Sequence, residues 1–95
     1  MRTIEWATAF KRDYKRVKAT PRHKDDVEGL LEAVLEALLA DQALPEANFD
    51  HPLTGNWKGY RDCHVKPDLV LIYRKPDSNT LRLARLGSHS EVFGK

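Results

Sequence analysis

The apolar residues of this chain change period once along its length, and that change restricts the fold more than any other feature. In residues 27–39, Val27, Leu30, Leu31, Val34, Leu35, Leu38 and Leu39 recur at the spacing of one helix face. Residues 69–73, LVLIY, form instead a continuous apolar run of strand length, as a central strand requires. Ahead of the leucine helix, Phe10, Tyr14 and Val17 recur at helical spacing among basic residues, which predicts an amphipathic helix over residues 7–19. Thr20-Pro21 separates the two helices, because proline cannot continue a helix interior. Residues 2–6, with Thr3, Ile4 and Trp6, suit a first strand. After Pro45 the pattern is β: residues 56–65 alternate, and the turn cluster at residues 76–79 returns the chain into a strand over residues 81–86. An N-terminal strand and two helices followed by antiparallel strands predict an α+β two-layer domain.

Ninety-five residues suffice for one core, so a single domain over residues 1–95 is expected. The lone Cys63 excludes an intramolecular disulfide, which fits a reducing compartment. No segment approaches the ~20 apolar residues that span a bilayer, and the first residues lack a secretory apolar stretch. The expected location is the cytoplasm, with no membrane partner.

Charge is segregated. Residues 1–24 hold eight Lys/Arg against Glu5 and Asp13, residues 25–50 hold eight Asp/Glu and no Lys/Arg, and residues 51–95 hold eight Lys/Arg against four Asp/Glu. Basic blocks therefore flank one acidic element, and the basic blocks suit a polyanion. The acidic block needs cationic partners, and the basic helix is the nearest source. The two helices are expected to pack together on one sheet face, burying Phe10, Tyr14, Leu31, Leu35 and Leu38. The catalytic cluster is expected away from that acidic surface.

Three of the four histidines, His51, His64 and His89, lie in the β half with Asp68, Arg61 and Arg85. Imidazole transfers protons near neutrality, its unperturbed pKa being about 6.5. Histidines beside guanidinium groups point to acid–base chemistry on an anion. No HExxH or similarly tight ligand spacing supports a metal hydrolase, and neither metal nor cofactor is expected.

The ordered residues Asp50-His-Pro-Leu53, Gly55, Trp57-Lys-Gly-Tyr-Arg-Asp62, His64-Val65, Pro67-Asp68, Leu71-Ile-Tyr73, Arg85, Gly87, His89 and Phe93-Gly94 resemble the YafQ branch of the RelE superfamily of bacterial toxins. The resemblance implies a RelE-like fold with a mainly antiparallel sheet of four to five strands. It also implies a type II toxin: a metal-independent endoribonuclease that cuts messenger RNA in the ribosomal A site. A cognate antitoxin would neutralise it, and operator DNA would be met only through that antitoxin. By position, the functional residues would be His51, His64, Asp68, Arg85, His89 and Phe93. Two positions depart from the pattern: Lys66 stands where an acidic residue can occur, and Leu69 where relatives can have an aromatic.

Metal-free RNA cleavage needs a base for the 2′-hydroxyl, an acid for the departing 5′ oxygen and positive charge on the phosphorane. His89, in a loop past the last strand, is the expected acid. His51, His64 and Asp68 are all candidates for the base, and the sequence does not choose among them. Arg85, in the alternation row of Leu81 and Leu83, is expected to stabilise charge. Lys58 and Arg61 are expected phosphate contacts, and Phe93 a base-stacking residue. Each also has a structural reading: Arg85 as the ion-pair partner of Asp62 or Asp68, and Phe93 as a core closure. His23 is expected to be incidental. The competing function is a non-catalytic RNA- or partner-binding module of the same fold.

Overall fold

The chain, described over residues 2–94 by a computed structural model, begins with β1 (Thr3–Trp6) and α1 (Thr8–Ala19). Met1 and Lys95 lie outside the described residues. A turn at residues 20–26 leads to α2 (Val27–Leu39), and a single 3-10 turn at Glu46–Asn48 leads to β2 (His51–Pro52). Another 3-10 turn, Gly55–Trp57, precedes β3 (Arg61–Lys66), β4 (Leu69–Arg74), β5 (Thr80–Gly87) and α3 (His89–Phe93). The strand expected over residues 56–65 thus starts later, because Gly55 and Gly59 take positive φ angles (64° and 92°) and the chain turns there.

The sheet order is β1-β5-β4-β3-β2, with β1 parallel to β5 and the other pairs antiparallel. This is the expected mainly antiparallel RelE-like α+β architecture. Both helices cover one face, where Phe10, Val17, Leu31, Leu35 and Leu38 pack on Cys63, Leu69, Leu71, Tyr73, Leu81, Leu83 and Leu86. The alternate residues of the same strands, Val70, Ile72 and Ala84, form a smaller cluster on the other face with Val92, Trp57, Tyr60 and Phe93. β4 is buried on both sides, which explains its unbroken apolar run.

Two packing expectations need correction. Leu30 is 41% exposed and Tyr14 only half-buried, because α2 turns a narrower stripe to the sheet than its seven apolar residues suggest. The acidic block also finds its cations mostly outside α1. Asp41 pairs with Arg2 and Lys75, Asp26 with Lys66 and Asp50 with Arg61, and Lys18–Glu28 at 3.7 Å is the one α1–α2 ion pair among the described residues. No helix of the described residues is long and apolar enough to cross a membrane.

Candidate active site

Strand alternation in β3 builds the site. Cys63 and Val65 point into the helix-side core, so Asp62 and His64 point to the opposite face. His51 of β2 stands opposite Asp62 across the β2–β3 pair. His64 pairs with Val70, which pairs with Gly87, so the end of β5 lies about 10 Å from His64 at the usual ~4.8 Å strand spacing. α3, which carries His89, begins two residues later. His51, His64 and His89 therefore gather on the sheet face away from the acidic helix, as expected.

Asp62 lies at the centre of this face. It is 1% exposed, and neither carboxylate oxygen has a hydrogen-bond partner. Burial pushes its carboxyl above the ordinary value of 3.8, and His51, His64 and His89 counter that only in part. The Nδ1 of His51 stands 3.1 Å from Asp62 Oδ1 and 2.8 Å from the carbonyl oxygen of Phe49. A carbonyl only accepts, so its hydrogen bond needs a proton on Nδ1. The neutral ring then carries its lone pair on Nε2, and the contact with Asp62 becomes an ion pair only when the ring gains a second proton. His64 is held similarly, its Nδ1 lying 3.3 Å from the carbonyl of Pro67.

His89 is not on a loop but is the first residue of α3. Ser88 caps that helix, its side chain accepting from the Glu91 N–H at 3.2 Å while Glu91 accepts from the Ser88 N–H at 2.8 Å. The sequence Ser88-His-Ser-Glu91 carries this capping box openly. At Gly87, just before it, the Arg16 and Glu91 side-chain ends come within 2.8 and 3.0 Å of where a Cβ would stand, so a larger residue there would push those flexible ends aside. Phe93 is half-buried and closes the second cluster, and its ring centroid is 4.6 Å from that of His89.

Arg85 departs from its expected row. A register shift in the β4–β5 pair makes Ala84 an extra residue, so Leu86 instead continues the row of Leu81 and Leu83. The Arg85 guanidinium pairs with neither Asp62 nor Asp68. Its Nε and Nη2 donate to Asp13 of α1 at 2.6 and 3.3 Å, and its Nη1 has no hydrogen bond among the described residues.

Asp68 and Arg61 are not brought to the histidines. Asp68 sits on the β3–β4 turn and accepts from Arg22 at 2.8 Å; burial pushes its carboxyl up, but that bond, a backbone N–H and the nearby His23 and Arg22 charges together outweigh it and the net shift is downward. Arg61 faces the helix side, donating to Asp50 at 3.3 and 3.2 Å, while Tyr73 donates to the same carboxylate at 2.6 Å. Lys58 is exposed near the tip of the β2–β3 loop. His23 is buried, with its Nδ1 unpartnered. Further basic groups lie on the histidine face: Arg74 stands 5.6 Å over the Tyr60 ring, and Arg82 pairs with Glu5. Asp62 is the main residue that sequence reasoning missed as a site member. Its i, i+2 spacing from His64 within one strand was the available signal. Among the described residues no group of three or more His, Cys, Asp or Glu side chains converges as a metal site.

Comparison with known proteins finds relatives over nearly the whole chain. Residues 2–94 match the family model described as the bacterial toxin of type II toxin-antitoxin system, YafQ. The chain is 42% identical over 95 residues to the mRNA interferase toxin YafQ of Escherichia coli K12, covering 98% of this chain and 97% of that protein. It is similar to the toxin in the crystal structure of the E. coli DinJ-YafQ complex, with a TM-score of 0.83, 41% identity and coverage of 99% and 100% of the two chains. It is also similar to a metal-bound toxin from Helicobacter pylori, with a TM-score of 0.84, 45% identity and coverage of 98% and 100%. The chain belongs to the YafQ family of type II toxin–antitoxin toxins.

Proposed function

We propose that this chain is an endoribonuclease that cleaves messenger RNA on the ribosome, in the A site, by metal-independent acid–base catalysis. A cognate antitoxin neutralises it in the cytoplasm, and operator DNA is met only through that antitoxin. The observation that carries this reading is the buried, unpartnered carboxylate of Asp62 facing His51, His64 and His89. Titratable groups perturbed by burial and by specific charged neighbours cluster at functional sites.

The tautomers suggest the division of labour. His51 and His64 each direct Nδ1 at a backbone carbonyl, which leaves Nε2 to accept a proton. His51 is the favoured base for the 2′-hydroxyl, because Asp62 beside it stabilises the imidazolium that proton transfer creates. His64 lies next to the same carboxylate and, when protonated, orients the phosphate through its Nε2–H. His89, exposed at the other side of the face, protonates the 5′ oxygen. Arg85, anchored through Nε and Nη2, offers Nη1 to the phosphorane. Asp68, paired with Arg22, has no part in the proton transfers.

The test uses purified protein with message-programmed ribosomes, scored by primer extension. The protein is treated with chelator and then desalted, because ribosomes themselves need magnesium. The parent should cleave, and His89→Ala should cleave roughly 10²–10⁴-fold more slowly, the usual scale of general acid catalysis. An equally folded His89→Ala protein at the parental rate would remove His89 as the acid. Cleavage restored only by added zinc would replace the metal-free mechanism. A parent that binds antitoxin but leaves message intact would establish the non-catalytic binding module.

A further inference from the structure

Phe49 combines features that the proton-transfer chemistry does not use. Its side chain is 66% exposed, the most exposed of the large apolar residues among those described. Its backbone is left-handed, φ 49° and ψ 44°, a conformation that Gly or Asn adopts readily and that is unfavourable for a bulky L-residue. A lone exposed apolar residue is ordinary. One that is both exposed and held in a strained backbone gains nothing from burial to offset the strain, and such strain gathers at functional sites.

Its surroundings are the candidate site. The Phe49 carbonyl receives the His51 Nδ1 proton at 2.8 Å, and the Phe49 ring meets the His64 ring edge-on, centroids 5.6 Å apart and planes at 68°. The preceding residue, Asn48, donates from its side chain to the His64 carbonyl at 2.7 Å, so this turn is clamped onto β3. On the far side of the face, Phe93 lies against His89. Each side of the histidine cluster thus carries an aromatic ring, and the one at His64 stands largely in solvent. A scissile phosphate joins two nucleotides, and in-line attack requires them to be held in a fixed, splayed arrangement.

We propose that Phe49 is a stacking platform for the base of a nucleotide flanking the scissile phosphate. This rests on the ribonuclease reading above and adds to it a substrate-binding residue outside the proton-transfer set. Nothing in Phe49 distinguishes one base from another, since every base has a π-face, so the ring supplies grip rather than base identity.

The test compares the parent with Phe49→Asn and Phe49→Tyr in the message-programmed ribosome assay. Asn suits the left-handed turn, so the His51 hydrogen bond is kept and the melting temperature should not fall. Loss of one stacked base should raise KM by about 5- to 150-fold, the equivalent of ~1–3 kcal/mol per stacked base. kcat and its pH profile should stay parental, because the interaction is shared by ground and transition states. Phe49→Tyr should restore the parental KM. An Asn variant with the parental KM overturns the proposal while the cleaving parent leaves the ribonuclease reading standing. A fall in kcat at unchanged KM also overturns it, since the ring would then be holding His64 instead. So does parental cleavage with weakened antitoxin binding, which would give the ring to the antitoxin. A parent that does not cleave overturns both readings.

Discussion

Replacing Asp13 should cost this protein stability and free Arg85 together. Asp13 is 3% exposed on α1, and its carboxylate takes four hydrogen bonds: Arg85 Nε at 2.6 Å, Arg85 Nη2 at 3.3 Å, Arg16 Nη1 at 2.8 Å and the Leu86 N–H at 3.0 Å. The last is structural. Pairing of β1 with β5 ends at Leu83, so beyond it the outer edge of β5 has no strand partner and α1 side chains supply one. In Asp13→Ala the buried Leu86 N–H loses its acceptor, at about 1–3 kcal/mol. Arg85 and Arg16 lose theirs too, but both reach solvent, so water replaces most of that and about 1 kcal/mol more is expected. A total of about 2–4 kcal/mol is a large share of a typical ~5–15 kcal/mol. At about 4–8 °C per kcal/mol for a domain of this size, the melting temperature should fall by roughly 8–30 °C. Asp13→Asn keeps an acceptor for Leu86 and should lose about 1 kcal/mol, near 4–8 °C. Burial pushes the Asp13 carboxyl up, but Arg85, the Leu86 N–H and Arg16 outweigh it and hold it below its ordinary 3.8. A depressed carboxyl contributes stability that is present above pH 3.8 and lost as pH falls through its folded value, so the parent and Asp13→Asn melting curves should converge in acid. Calorimetry across pH, with a double-mutant cycle to Arg85→Ala, checks both parts. An Asp13→Ala protein melting within about 2 °C of the parent, or strict additivity with Arg85→Ala, would refute the reasoning.

Asp62 should behave in the opposite way. Burial, as the largest cause, raises its carboxyl, so Asp62 favours folding below its unfolded value of 3.8 and that contribution is lost as pH rises through the folded value. Asp62→Asn should therefore raise the melting temperature at pH 7 by a few degrees, with the gain shrinking in acid, while cleavage falls at least 10-fold; a variant that is less stable and fully active contradicts the assignment. Cys63 is fully buried, and burial, with Asp50 and Asp62, pushes its thiol up to about 12. It should resist a thiol reagent in the native protein and react once in denaturant, and fast labelling of native protein would show that the helix-side core opens there.

The α2 stripe, the buried β4 run and the turns around Pro21 and residues 76–79 were legible because each is a local matter of period, composition and backbone preference. The same local signal placed His51, His64 and His89 in one β-rich half, and the ordered motif around them marked the family. Three other features depended on residues far apart in the chain. Thr3 pairs in parallel with Thr80, which no local pattern announces. An extra residue at Ala84 turned Arg85 out of its expected row and toward Asp13 on α1, since strand alternation predicts a face only while the register is unbroken. Arg61 and Asp68 looked equivalent to the site histidines in sequence, yet each is bound to its own counter-ion away from them. Asp62 is the clearest case. A charged residue read alone belongs in solvent, and the free energy of burying it depends on which groups the rest of the fold sets around it. Here these are His51 from β2, His64 from β3 and His89 from α3, which come together only when the sheet closes.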